Sequence, residues 1–389
     1  MIDSIVRLGK KGHVQTINEY FNTEDPNIKR EIPVVLGRIG NKESESLLIS
    51  LLKDEIPFVR KNSVKALEKI IELKNIKNIL DLLNDTDIEV RKETIRVLGN
   101  VGRKRAVKPL LEILKGKDIK VRNLARNALY KILSKLKNYE VLYEVIKGRN
   151  LDARKEAIKL VGMLKDNNSI DLLIKIFNSK VASLRRYAYK AVLRILDKNV
   201  DDLIINGLTD KSWQIRMFCT KILGEMADPT TIKPIFNLIE DENGSVRKAA
   251  IDSLIYFKSD RVTGLAKEAI NSSNWKIRRA GVKLLIRIGG DESINSLISC
   301  LNDDDIYIKS WAAMALGKLK NIDSIEPFIS LLKESDDKTR LSAVKALGEI
   351  GSKDAIKPLI EILGDDNWDF RKEVEIALKK INPDWMNDL

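Results

Sequence analysis

A short phrase returns along this chain about every 31 residues, and it constrains the fold more than any other feature. An apolar residue is followed by Arg and then by small and aliphatic residues at helical spacing. It reads Phe58-Val59-Arg60, Glu89-Val90-Arg91, Lys120-Val121-Arg122, Gln214-Ile215-Arg216, Ser245-Val246-Arg247 and Lys276-Ile277-Arg278. The basic residue falls at 30, 60, 91, 122, 154, 185, 216, 247, 278, 309, 340 and 371, with Lys at 309 and Arg elsewhere. A period of this length marks stacked supersecondary units that cannot bury their apolar faces alone. Length alone, 389 residues, would suggest two or three domains. Twelve units consume nearly all of it, so the expectation is one continuous stack over 1–389. Residues 1–40 and 352–389 are expected to be its caps, the latter ending in the polar Asn382-Pro383-Asp384-Trp385.

Each unit reads as two helices. The first carries a one-sided apolar stripe, as in Ala106-Val107-Lys108-Pro109-Leu110-Leu111-Glu112-Ile113-Leu114. The second contains the phrase and runs on as in Ser342-Ala343-Val344-Lys345-Ala346-Leu347-Gly348-Glu349-Ile350-Gly351, where the last glycine is a C-terminal signal. Pro109, Pro234, Pro327 and Pro358 share one register near the start of the first helix, where a missing N–H costs least. Pro33 falls instead in the second helix of the first unit and is expected to shorten or distort it. The fold class is all-α: a right-handed α-α superhelix, or solenoid, of about twelve two-helix repeats.

The stretches KPLLEILKGKDIKVRNLARNAL (108–129), KPIFNLIEDENGSVRKAAIDSL (233–254) and KPLIEILGDDNWDFRKEVEIAL (357–378) resemble HEAT-like repeats of the phycobilisome-lyase type. The resemblance spans residues 14–382 and is specific for fold. It is poorly specific for function, because such repeats occur in lyases, hydroxylases, DNA glycosylases and plain scaffolds. It also implies that the second helices line a concave surface.

The repeated Arg suits a carboxylate, which its planar fork matches bidentately. Six residues before it stand Glu24, Asp54, Asp85, Asp210, Asp241, Asp303, Glu334 and Asp365, so the expected arrangement is a ladder of Arg–acid pairs in the interhelical turns. Gly116, Gly148, Ser179 and Ser272 occupy that position elsewhere. By this register Arg122, Arg154, Arg185 and Arg278 lack the usual partner, with Asp118 a substitute for the first.

The net charge of +13 is unevenly spread. Residues 103–196 hold 24 Lys+Arg against eight Asp+Glu, residues 258–289 eight against two, and the remainder is acidic. Five residues after the repeat Arg stand Lys65, Arg96, Lys159, Lys190, Lys221, Lys283 and Lys345, a basic row expected to face outward together with positions one, two and nine. One unit then presents Arg186, Tyr187, Lys190 and Arg194; another presents Arg279, Lys283 and Arg287. Arg126 and Lys131 extend the basic tract. At position two large groups interleave, Leu124, Tyr187, Phe218 and Trp311, and apolar bulk on a charged face packs or binds something. The candidate partner-binding set is therefore Arg126, Lys131, Lys159, Arg186, Tyr187, Lys190 and Arg194, with Phe218, Lys221, Arg279, Lys283, Arg287 and Trp311. Trp213, Trp275 and Trp368, two residues before the repeat Arg, are expected to cover the seams between units.

Catalysis finds little support. The one histidine, His13, excludes His-rich metal sites and Ser-His-Asp triads, and it cannot supply the His-Glu iron site of HEAT-like hydroxylases. Nucleotide-loop, zinc-protease and nucleophile-elbow motifs are missing from the sequence. Cys219 and Cys300 read as small buried apolar residues, and two cysteines with no CxxC pair suit a reducing compartment. Asp303-Asp304-Asp305 and Asp365-Asp366 read as turn acids rather than a metal site. No cofactor, metal, catalytic residue or small-molecule substrate is expected, and no membrane span; the location expected is cytoplasmic. The leading expectation is a non-catalytic scaffold holding an acidic protein surface on its second-helix face. DNA or RNA bound by the tract 103–196 is the alternative, and a HEAT-like DNA glycosylase or lyase-type enzyme a third reading. Oligomeric state is left open.

Overall fold

The structure, a computed structural model, describes Val6, Arg7, Lys10 and residues 25–197, 199, 201–334 and 336–388. His13 and Glu24 lie outside the described residues. From Pro26 onward the chain forms 23 α-helices, and no strand occurs among the described residues. Two compact units divide at 197/198.

In the first unit the second helices of successive repeats are α1 (Pro26–Ile39), α3 (Pro57–Leu67), α5 (Ile88–Val101), α7 (Ile119–Leu136), α9 (Leu151–Met163) and α11 (Ala182–Leu196). The first helices between them are α2 (Lys42–Leu51), α4 (Ile76–Leu80), α6 (Lys104–Ile113), α8 (Glu140–Lys147) and α10 (Ile170–Ile176). In the second unit the first helices are α12 (Asp202–Asn206), α14 (Ile232–Asn237), α16 (Asp260–Ile270), α18 (Asp291–Ser299), α20 (Ile325–Leu331) and α22 (Ile356–Glu361). They alternate with the second helices α13 (Trp213–Met226), α15 (Gly244–Leu254), α17 (Trp275–Ile288), α19 (Ile306–Lys318), α21 (Asp337–Ile350) and α23 (Trp368–Ile381). Each pair closes on its own aliphatic stripe: Val107, Leu110, Leu111 and Leu114 meet Ala125, Leu129 and Ile132, all buried. No helix among the described residues is long and apolar enough to cross a membrane.

Local signals explain the helix boundaries. Four residues before the repeat Arg, Asp87, Asp118, Asn150, Asn274, Asp305 and Asn367 accept backbone N–H groups of the first turn. Asp118 is thus a cap for Lys120 and Val121, not the substitute partner expected for Arg122. Pro234, Pro327 and Pro358 sit in the first α-turn after a 3-10 turn, whereas Pro109 lies further inside α6. Helix α1 runs through Pro33 for its full 14 residues, so the expected shortening does not occur. At the C-termini Gly351 adopts a positive φ of 77°, but Lys137 and Ala227 adopt one without being glycine.

The arginine ladder exists, in a different register from the one expected. Arg60 donates from Nη1 to the carbonyls of Asp54 and Glu55 in its own turn (2.8 and 3.0 Å). Its Nε and Nη2 reach forward 25 residues to the Asp85 carboxylate, both at 2.7 Å. Arg216 repeats this on Asp241 (2.7 and 2.9 Å) and Arg278 on Asp303 (2.8 and 3.1 Å). Lys309 reaches Glu334 at 3.2 Å, and Arg340 pairs with Asp365. The turn acids Asp85, Asp241, Asp303, Glu334 and Asp365 thus pair with the preceding repeat's basic residue, and such a carboxylate can also accept the N–H two residues on, as Asp241 does from Asn243. Its own arginine takes only its backbone carbonyl. Arg278 is therefore fully paired, contrary to expectation. The arginines facing Gly116, Gly148, Ser179 and Ser272 are Arg91, Arg122, Arg154 and Arg247.

A second device sets the spacing of the second helices. Eight residues after the repeat position, Gly99 and Gly317 lie against Ala128 and Ala346 of the next second helix. A Cβ there would stand 2.8 and 2.7 Å from the neighbouring Cα. Only glycine permits that approach. Helix α17 departs from the rule on both sides, since Ile255 and Ile286 fill the glycine position. Instead Gly281 presses α17 against its own first helix α16, with a notional Cβ 2.8 Å from the Cβ of Ala269. The seam between α15 and α17 is left open.

Arg216 and Asp241 are the most enclosed rung, their side chains 8% and 5% exposed. Burial pushes the Asp241 carboxyl up, but the Arg216 fork, the Asn243 N–H and the charges of Arg216 and Arg247 outweigh it, so its pKa lies below the usual value. Replacing Asp241 by Ala is expected to cost about 3 kcal/mol, because a buried guanidinium loses its bidentate partner and keeps only the exposed Glu242, 3.1 Å from its Nη2. Asp171→Ala, which breaks an exposed pair with Lys175, is expected to cost about 0.5 kcal/mol or less. Urea titrations measure both. Because the Asp241 pKa is lowered on folding, its contribution is complete above the unfolded carboxylate pKa of about 4 and is lost as pH falls toward the folded value. Asp241→Asn should flatten that acid limb.

Candidate functional site

The open seam forms a cleft of about 690 Å³ in the second unit. Helix α17 builds its wall by amphipathic spacing. It buries Ala280, Gly281, Val282, Leu284 and Leu285 and leaves Trp275, Arg279, Lys283 and Arg287 as a stripe at intervals of four. Opposite, α15 contributes Arg247, Lys248, Ile251 and Asp252, and Trp311 of α19 closes one end. Over the twelve residues from Trp275 to Ile286 the wall is roughly 16 Å long.

Arg279 is held on every side. Its Nε and Nη2 donate to the Asp305 carboxylate at 3.0 Å each. Its guanidinium lies 4.2 Å from the Trp275 ring centroid and 4.5 Å from that of Tyr307. Lys338 sits 3.4 Å from the Tyr307 ring on the far flank, and Tyr307 and Trp311 are 6.2 Å apart at 53°. Lys283 lies 4.4 Å from the Trp311 ring and has no carboxylate partner among the described residues. Partial burial, with the nearby charges of Arg247 and Arg279, pushes the Lys283 pKa below its ordinary value. Arg287 reaches Asp252 at 2.7 Å near the end of the wall. Cation–π contacts of this kind orient the cations without neutralising them. The cleft thus presents fixed positive charge beside exposed aromatic surface, Trp275 being 46% exposed. This arrangement suits an anionic, partly apolar ligand.

Nothing among these residues forms a nucleophile–base pair. Burial pushes the thiols of Cys219 and Cys300 up to about 12 each, so neither is an activated nucleophile. Among the described residues no group of three or more His, Cys, Asp or Glu is placed to hold a metal ion.

Arg279, Lys283, Arg287 and Trp311 of the sequence-derived set all line this cleft. Also in the second unit, Phe218 is half-buried with Lys221 5.9 Å from its ring. In the first unit the set separates into paired and free cations. Arg126 and Lys159 both bond Glu156, at 2.6 and 2.7 Å, and Glu156 is buried. Lys159 also lies 4.7 Å from the half-buried Tyr187 ring, and Lys131 bonds the Asn100 side chain at 2.8 Å. Arg126 and Lys159 therefore serve the packing of α7, α9 and α11. Arg186, stacked loosely on Tyr187, is exposed, as are Lys190 and Arg194. Trp213 and Trp368 are 37% and 61% exposed, more open than seam covers need to be.

Sequence reasoning missed Arg247, Tyr307 and Lys338, and it assigned Trp275 to seam covering. For Arg247 a signal existed. Ser272 replaces the turn acid 25 residues ahead, which the true ladder register assigns to Arg247.

These features define a helical-repeat protein with a cationic cleft. The chain belongs to the family of HEAT repeats, which it matches over residues 14–77, 76–146, 202–268, 262–340 and 325–384. No curated protein sequence matches it. Among solved structures it is similar to an engineered protein (20% identity, 87% of this chain and 98% of that one, TM-score 0.27). Human deoxyhypusine hydroxylase in complex with glycerol is similar at 16% identity, over 64% and 98% of the two chains, TM-score 0.30. The karyopherin Kap121p bound to the extreme C-terminus of the phosphatase Cdc14p is similar at 12% identity, TM-score 0.48. That match covers 93% of this chain and 48% of the karyopherin.

Lys283 provides a direct check of the cleft's electrostatics. Arg279→Gln removes one of the charges that lower its pKa, so acylation of Lys283 by acetic anhydride near pH 9 should slow. Peptide mass spectrometry measures the rate, and an unchanged rate would contradict the coupling.

Proposed function

We propose that this HEAT-repeat chain is a non-catalytic scaffold whose second-helix face holds a protein partner through an acidic surface. The observation that carries this reading is the cleft between α15 and α17. Six cations, Arg247, Lys248, Lys276, Arg279, Lys283 and Arg287, share one wall system with Trp275 and Trp311. Clustered aromatic and arginine side chains in a recess that a partner can desolvate are the composition of interface hot spots. Solvent-exposed cations such as Arg186, Lys190 and Arg194 would add steering for an acidic partner. The membership in a family of binding scaffolds agrees with this, while the acidic nature of the partner rests on the charge of the cleft.

Affinity capture from native lysate with wild type and with Lys283→Glu tests the proposal. Proteins retained by wild type through acidic segments should be lost from the variant. A gel-shift series with duplex DNA and RNA runs beside it. A log–log salt slope near −0.9 per phosphate contact on duplex DNA, with binding that persists at physiological salt, would overturn the protein-partner reading in favour of nucleic acid.

A further inference from the structure

Arg247 is a ladder arginine with an empty fork. Its Nη1 donates to the carbonyls of Asp241 and Glu242 at 2.7 and 2.9 Å, as Arg60, Arg216 and Arg278 do in their own turns. In Arg60, Arg216 and Arg278 the remaining Nε–Nη2 edge grips the carboxylate 25 residues ahead. For Arg247 that position is Ser272. Ser272 keeps the turn role of the missing acid, accepting the Asn274 N–H on its hydroxyl at 3.2 Å just as Asp303 accepts that of Asp305 at 2.7 Å. It carries no carboxylate for the fork. The fork edge of Arg247 has no hydrogen-bond partner among the described residues.

The other interrupted rungs vary, and Arg122 keeps a buried Nε with no hydrogen-bond partner among the described residues. Arg154 turns Nε to the Ile146 carbonyl at 2.8 Å, and Arg122 is buried with the Asp152 carboxylate 3.7 Å from its Nη1. Arg91 has an open fork edge opposite Gly116. Arg247 instead lines the cleft, where Lys283 also lacks a carboxylate and Arg279 is already fixed by Asp305.

We propose that the vacant rung is a binding site: an Asp or Glu side chain of an acidic segment in a partner protein docks on Arg247 and Lys283 and completes the ladder. The inference deepens the scaffold reading and rests on it. A carboxylate is favoured because the fork geometry is the one that holds Asp in the intact rungs, and a planar bidentate match is specific. The walls beside it, Ile251, Ile286, Trp275 and Trp311, suit apolar residues flanking the acid. The charge balance agrees as well. The acids that line or flank the cleft, Glu242, Asp252 and Asp305, are engaged by Arg216, Arg287 and Arg279, which leaves Arg247 and Lys283, with the exposed Lys248 and Lys276, for the ligand.

Ser272→Asp is the decisive variant, because it supplies the missing carboxylate from within the chain. The probe is a short fluorescein-labelled peptide of glutamate interspersed with leucine, followed by fluorescence anisotropy. Wild type should bind it. Ser272→Asp and Arg247→Gln should each bind about tenfold more weakly or worse, as expected for loss of a charge-assisted bidentate contact. Both should keep wild-type helical circular dichroism, with the melting temperature of Ser272→Asp unchanged or raised. Failure of wild type to bind, or wild-type affinity in both variants, would overturn the site. Loss of binding in Lys190→Glu but not in Ser272→Asp would overturn this site while leaving the scaffold reading intact. A phosphoserine peptide that binds more tightly than the glutamate peptide, and is lost in Ser272→Asp, would overturn the carboxylate assignment. Binding of a DNA duplex alone would overturn both this site and the scaffold reading.

Discussion

The arginine that bridges consecutive turns is the constraint on which the stacking depends. One guanidinium does two jobs in different repeats. Nη1 closes its own turn through backbone carbonyls, and the Nε–Nη2 edge grips the carboxylate of the next turn. Lysine cannot divide its donors in this planar way, and Lys309 makes only a single 3.2 Å contact with Glu334. The turn carboxylate is likewise shared, since it also accepts a backbone N–H in its own turn. A rung therefore joins two turns and two repeats with charge-assisted hydrogen bonds, and removing one partner strands the other. The glycine–alanine contacts act with it: they set how closely second helices approach, and the rungs set how their turns align.

The cleft follows from these rules being suspended together. Ile255 and Ile286 stand where Gly99, Gly162, Gly224, Gly317 and Gly348 stand in other repeats, Gly281 draws α17 against α16, and Ser272 stands where eight of the twelve turns have an acid. The first two changes open space between α15 and α17. The third leaves a charged fork at its edge. A cost in stability at such a position fits the general pattern that binding sites depart from local rules the rest of the fold obeys. In the first unit, by contrast, Tyr130 stands at the glycine position between α7 and α9, and Glu156 takes both Arg126 and Lys159 there.

The repeat period and the two-helix unit were legible in the sequence because each depends on spacing within one helix, whereas the basic row faces outward only in part, Arg96 and Lys159 being half-buried and paired with glutamates. Lys283 and Arg287 could be placed on one face of α17 from their separation alone. The ladder partner was not legible, because a rung such as Arg60 or Arg216 is flanked by two turn carboxylates, one six residues before it and one 25 after, and the nearer is not the side-chain partner. Asp54 and Asp85 both flank Arg60, and only the direction of the turn shows that Asp54 offers its carbonyl and Asp85 its side chain. That single ambiguity shifted the predicted vacancies by one repeat and hid Arg247. Tyr307 and Lys338 were hidden for a related reason. They reach the site from α19 and α21, across seams whose width depends on glycines far from them in sequence. Pro33 was misjudged because neighbouring packing tolerates a proline that local propensity disfavours.

The account stands on Arg247 having a fork that a carboxylate at position 272 would fill. A double-mutant cycle on folding stability isolates this, using wild type, Arg247→Gln, Ser272→Asp and the double variant in urea titrations. The account predicts that Ser272→Asp stabilises the chain when Arg247 is present and gives no gain when it is glutamine. Equal effects of Ser272→Asp in both backgrounds would contradict it.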